Sequence, residues 1–158
     1  MTRKPRPIRF APIPPPGLRP KLSKSQVCGL GLAHIANLDL ISRGEATEEV
    51  LWQWIGGAMT WSYVAGALQR RNADRYREAA EAMRLQLMVA ESVVQRYGRT
   101  GRVGFSGPEY QQAKDACEWM DALAEVVDRA TALRAAEMSE VSVNQWAAQC
   151  ARREEQAA

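Results

Sequence analysis

A chain of 158 residues with 46% apolar and 25% charged side chains has ordinary globular composition and the size of a single domain. Three cysteines, Cys28, Cys117 and Cys150, are odd in number and lack CxxC spacing, which excludes a disulfide framework and a thiolate zinc site and predicts a reducing, cytoplasmic setting. The net charge is only +3, but Arg3, Lys4, Arg6, Arg9, Arg19, Lys21 and Lys24 precede any acidic residue, so a strongly basic arm leads into a mildly acidic body.

Seven of the eight prolines fall within residues 1–22. Proline removes a backbone donor and fixes φ, so this arm is expected to be extended rather than helical. Its start is basic and proline-packed where an export signal needs an apolar run.

From Ser23 onward, apolar or small residues recur at alternating three- and four-residue spacing, which places them on one helical seam. A first helix over about 24–42 carries Val27, Gly31, His34, Leu38 and Ile41. Gly44 is placed to end it in a left-handed turn, and Thr47 to cap the next. The second helix, about 48–70, carries Leu51, Trp54, Ala58, Trp61, Ala65 and Leu68. Residues 50–69 hold no charge and are long enough to span a bilayer. Yet Trp61 sits mid-stretch where membrane tryptophans gather at interfaces, so a buried helix is predicted. Ala58, Ser62 and Gly66 would let a neighbouring backbone come close.

Asn72 or Asp74 can cap a third helix over about 74–97, with Tyr76, Ala80, Met83, Leu87, Ala90, Val94 and Tyr97 on its seam and Gly98 at its end. A fourth, about 107–137, opens with Ser106 and Glu109 as a capping box, with Phe105 and Tyr110 as a hydrophobic staple. Its stripe is Ala113, Cys117, Met120, Ala124, Val127 and Thr131, widened by Leu123 and Ala130. A short fifth helix over about 139–158 has Val143, Trp146, Ala147 and Cys150 on one side. The expected fold is all-α: an antiparallel up-down four-helix bundle over 23–137, an extended Pro-rich basic arm over 1–22, and a helical tail over 138–158.

Little in the residues argues for an enzyme. The single histidine, His34, lies in the apolar stripe of the first helix and is expected to be a hydrogen-bonded core residue. No second His, HExxH, CxxCH, P-loop or GxGxxG pattern is present, so no catalytic residue, metal or cofactor is expected. The segment Arg96–Gly107 interleaves Arg96, Arg99 and Arg102 with glycines and could wrap an anion. Alternatively it is a connection that needs permissive backbone before a cap.

The basic pole carries more weight. In an up-down bundle the arm enters beside the connection between helices two and three, which carries Arg70, Arg71 and Arg75. Together with Arg3, Lys4, Arg6, Arg9, Arg19 and Lys21, these could neutralise phosphates of nucleic acid or a nucleoprotein complex. A helix-turn-helix over this region fits poorly, because Gln69 and Arg70 stand where the turn needs small and apolar residues. On helix four, Asp115, Glu118, Asp121, Glu125 and Asp128 share one face. That is either a solvated surface or an acidic ridge for a protein partner.

The segments LGLAHIANLDLISRG at 30–44, EEVLWQWIGGAMTWSYVAGAL at 48–68 and RYGRTGRVGFSGPEYQ at 96–111 together resemble small, mostly uncharacterised helical proteins of proteobacterial plasmids and prophages. The resemblance implies a bacterial mobile-element accessory protein and no catalytic residues. The expected function is therefore a non-enzymatic binding protein of a mobile genetic element that docks on nucleic acid or a host nucleic-acid machine. It would act as a regulator or inhibitor, an anti-CRISPR-like role included. The alternative is an oligomeric assembly protein whose arm or Trp146 helix clasps a neighbouring copy.

Overall fold

The computed structural model describes residues 19–157. The described residues form five helices and no strand: α1 (Lys24–Ser42), α2 (Glu48–Arg71), α3 (Ala73–Thr100), α4 (Gly107–Val126) and α5 (Arg129–Ala157). One isolated backbone bridge joins Lys21 to Asp128. The described residues are thus all-α, as the periodicity requires.

Local chemistry accounts for the helix ends. Ser23 and Gln26 form a reciprocal capping box at α1. After α1, Gly44 takes φ +70°. Its N–H reaches Ile41 O at 3.1 Å and the Glu45 N–H reaches Leu40 O at 3.0 Å, the paired bonds of a Schellman stop. Thr47 caps α2 at Val50, with Glu48 and Glu49 in the first turn and Arg70 and Arg71 in the last, each sign opposing the local end of the helix dipole.

A single residue separates α2 from α3. Asn72 closes α2 through its N–H to Leu68 O and caps α3 through its side chain at Arg75 N. The two helices reverse there, and at their far ends Tyr97 donates to Glu48 at 3.3 Å. α3 passes through Gly98, where a stop is expected from the sequence, because the left-handed position falls on Gly101 at φ +66°.

The Ser106–Glu109 capping box forms as expected, with Phe105 and Tyr110 rings 6.2 Å apart. The expected fourth helix over 107–137 does not form as one element. It ends at Val126, Val127 is extended at φ −69° and ψ 141°, and Asp128 starts a new helix by accepting from Thr131 N at 2.9 Å. No glycine or proline marks this break, and the apolar stripe continues through Val127 and Thr131. The stop comes from an Asp-x-x-Thr cap. Residues 129–157 then run as one long helix, so the expected boundary at 137/138 falls inside α5.

α2 is the hub, packed most extensively on α3 and α5 and less so on α1 and α4. It buries Leu51, Trp54, Ile55, Ala58, Trp61, Val64, Ala65 and Leu68. Each large side chain so buried contributes roughly 1.5–3 kcal/mol. No helix among the described residues is long and apolar enough to cross a membrane. α5 docks on α2 through the edge-on ring pair Trp52–Trp146 at 5.9 Å and the Tyr63–Ser142 bond at 2.7 Å. Ser139 also donates to Gly56 O at 2.8 Å. The tightest approach to a glycine of α2 is at Gly57, whereas a Cβ at Gly66 of the Ala58/Ser62/Gly66 repeat would meet only the Arg70 side chain of its own helix, at 3.7 Å. A Cβ at Gly57 would lie 3.0 Å from His34 Nε2, and one at Gly56 would lie 3.9 Å from Val143.

Candidate anion-binding groove

The end of α2, the start of α5 and the last described part of the arm converge at one pole. Pro20 O accepts from Arg129 N at 2.8 Å, which holds the arm's exit against the first residue of α5. Beside it lies a groove of about 650 Å³ whose charged lining is Arg19, Arg70, Arg71, Arg134 and Glu137. Four guanidinium groups against one carboxylate make this a cationic surface.

These arginines do different work. Arg71 donates to Asp128 Oδ2 at 3.0 Å and to Thr131 Oγ1 at 2.8 Å, while Arg19 stands 3.8 Å from Asp128 Oδ1. Burial by itself would raise the Asp128 carboxyl, but bonds from Thr131 and Arg71 outweigh it and hold the group below its ordinary range. Arg71 is thus a brace between α2 and α5. Arg70 and Arg134 are exposed and have no ion-pair or hydrogen-bond partner among the described residues, so their charges are available to a ligand.

Of the residues expected at this pole, Arg19, Arg70 and Arg71 come together. Arg75 does not join them. It is exposed at the start of α3 with its guanidinium carbon 5.4 Å from the Tyr76 ring centroid, a cation–π placement. Lys21 is exposed, its backbone bridged to Asp128. Arg3, Lys4, Arg6 and Arg9 lie outside the described residues. Arg134 was not expected at this pole; it comes to the groove because a new helix starts after Asp128 and packs back on α2.

The Arg96–Gly107 segment is not an open cradle. Arg96 donates to Gly104 O and to Glu109 Oε1, both at 2.7 Å, and Ser92 donates to the same Glu109 oxygen at 2.6 Å. Burial would push the Glu109 carboxyl up, but these bonds and those from Ser106 bring it down to about 2. Val103 is buried, and Phe105 sits edge-on to Trp54 at 5.2 Å. Arg96 is therefore spent inside the fold, leaving Arg99 and Arg102 exposed around a pinned loop.

Two other surfaces differ from expectation. The acidic face of α4 keeps Asp115, Glu118, Asp121 and Glu125 exposed, but Asp128 is buried, outside α4 and ion-paired. Trp146 packs inward on Trp52, so it is not presented as a clasp for another copy. His34 accepts from Trp61 Nε1 at 3.2 Å, half-buried between α1 and α2. Burial lowers its pKa, against a smaller opposing pull from Asp121. Burial also pushes the Cys117 thiol up to about 11, with Asp121 and Glu118 adding to it, so Cys117 stays an unreactive thiol at neutral pH. Among the described residues no group of His, Cys, Asp and Glu side chains is gathered to hold a metal ion.

No family model, no curated protein and no solved structure matches the chain.

Proposed function

We propose that this chain is a non-enzymatic helical binding protein that docks on nucleic acid or a nucleoprotein complex through its basic arm and the arginine groove. In this reading α1 to α4 form an antiparallel bundle and α5 is the strut that completes the groove. The carrying observation is that Arg19, at the foot of the arm, shares one groove with Arg70 and Arg134. A polyanion following the arm would meet uncommitted guanidinium groups there. Phosphate contacts of this kind give affinity that falls steeply with salt and depends little on sequence. In a mobile genetic element such a protein would regulate or inhibit a nucleic-acid machine.

Fluorescence anisotropy against a short DNA duplex and a single-stranded RNA, across a salt series, tests the proposal. Arg70→Glu with Arg134→Glu is expected to weaken binding at least tenfold and to flatten the salt dependence. Arg71 is left intact so that the α2–α5 brace survives. Unchanged binding by a folded double variant would sink the groove's role.

The assembly alternative is favoured by one observation. Residues 25–38 of α1 carry no Asp, Glu, Lys or Arg, and Leu32 and Ile35 face outward at 64% and 54% exposure. A helix apolar on both faces normally has both covered. In that reading a second copy covers α1, and light scattering of the full chain reads a dimer that Leu32→Glu returns to monomer.

A further inference from the structure

On the other side of Leu133, which borders the arginine groove as well, α1 and α5 stand on either side of α2 without packing extensively on each other. Between them is a trough of about 500 Å³, within the range of small-molecule sites. Pro20 and Arg129 meet at one end of these helices, while His34 and Ser139 both reach the Gly56–Gly57 level of α2. α1 and α5 therefore run in the same direction, and their lining residues follow as rungs from the pole: Leu22, Gln26, Leu30 and His34 on one side, Arg129, Leu133 and Ala136 on the other. Gly57 and Thr60 of α2 lie at the base of the trough, above the buried Trp61 and Val64.

The rungs give the trough a chemical direction. Its middle is aliphatic, and both rims there, Leu30 and Leu133, are exposed leucines. At the far end the Trp61 indole N–H is already satisfied by His34 Nε2, so the floor offers no demanding polar group. At the pole end stands Arg129, the one charged residue on the lining; no carboxylate faces in. Its guanidinium has no hydrogen-bond or ion-pair partner among the described residues. From Gln26 to His34 the trough is about 12 Å long at 1.5 Å rise per residue.

We infer that this trough binds a linear apolar molecule bearing a single carboxylate, of the medium-chain fatty-acid class, with its chain between the Leu30 and Leu133 rims above Gly57 and Thr60 and its head on Arg129. An uncommitted guanidinium beside apolar walls rewards a carboxylate by paired, charge-assisted hydrogen bonds and repels an ammonium head. The aliphatic body displaces water from the leucine rims.

Isothermal titration of the full chain with decanoate, decanol and decylamine, each below its aggregation concentration, tests this. Decanoate is expected to bind one to one, at least tenfold tighter than decylamine. Arg129→Gln should equalise decanoate and decanol. Ala136→Phe, placed at an exposed position so that the helix is kept, should abolish decanoate binding, while Ala136→Ser retains it. The Arg70→Glu/Arg134→Glu variant should bind decanoate unchanged, separating this site from the polyanion groove. No decanoate binding by the full chain, decylamine binding as tightly, or undiminished binding by folded Ala136→Phe would each overturn the assignment. So would a preference for decanoate over decanol that survives Arg129→Gln.

Discussion

Arg71 Nη1 lies 3.0 Å from Asp128 Oδ2, tying the last turn of α2 to the residue that starts α5. The same carboxylate accepts from the backbone N–H and hydroxyl of Thr131, so one side chain both caps a helix and anchors it. Asp128 is the buried partner, while Arg71 keeps part of its guanidinium in water, so removing the carboxylate loses the cap and a charge-assisted bond without stranding a buried charge.

Asp128→Ala is therefore expected to destabilise the chain by about 2 kcal/mol in urea denaturation, the cap and the charge-assisted bond being lost together. Asp128→Asn, which keeps the cap acceptor and loses the charge, should cost roughly half as much. Because the Asp128 pKa is depressed on folding, its contribution is complete above the ordinary value of 3.8 and is lost as pH falls below it. Equal destabilisation by the two variants would show that the charge, not the cap, matters.

Glu109 offers a second acid-sensitive point. Its carboxyl, ordinarily at 4.5, is held at about 2 by Arg96, Ser106 and Ser92. The folded pKa is again the lower one, so the stabilisation is present above 4.5 and disappears between 4.5 and about 2. Glu109→Gln should cost about 2 kcal/mol at neutral pH and converge with the parent chain near pH 2, as measured by urea denaturation over a pH series.

For His34 the lowered pKa belongs to a base, and the sign works in the same direction for a different reason. Protonation in the folded chain charges a half-buried ring and removes the acceptor that Trp61 Nε1 uses. Stability should be full above 6.5 and decline as pH falls below that value. His34→Gln should flatten that part of the profile. Gly57→Ala should destabilise at every pH, because its Cβ would meet His34 Nε2 at 3.0 Å.

Gln86 is fully buried on α3 with neither its amide nitrogen nor its oxygen hydrogen-bonded among the described residues. Desolvating such groups without partners carries a penalty, so Gln86→Met, similar in volume, is expected to raise stability by about 1–2 kcal/mol. A loss of stability in thermal unfolding would mean that the amide has a partner in solution, such as an ordered water.

Much of the fold is legible in the residues. Thr47, Asn72 and the Ser106–Glu109 box cap their helices because each places a side-chain acceptor beside an unsatisfied N–H of the same turn. The α2 seam from Leu51 to Leu68 is buried throughout, since apolar side chains at that spacing have one face on which to leave water. The start of α5 is written locally too, in Asp128 and Thr131, but a helical stripe that runs unbroken past Val127 masks it.

What the sequence by itself determined is local: five helix-forming stretches, their caps, and a cationic arm. Which charges remain free was decided only by tertiary structure, since an arginine's availability depends on which distant carboxylate reaches it. Arg71 is drawn to Asp128 and Arg96 to Glu109, while Arg70 and Arg134, of the same chemistry, are left facing the groove. The α1–α5 trough is likewise a tertiary product. It exists because α5, starting at Arg129, returns along α2 and leaves the exposed leucines Leu30 and Leu133 facing one gap between two parallel helices.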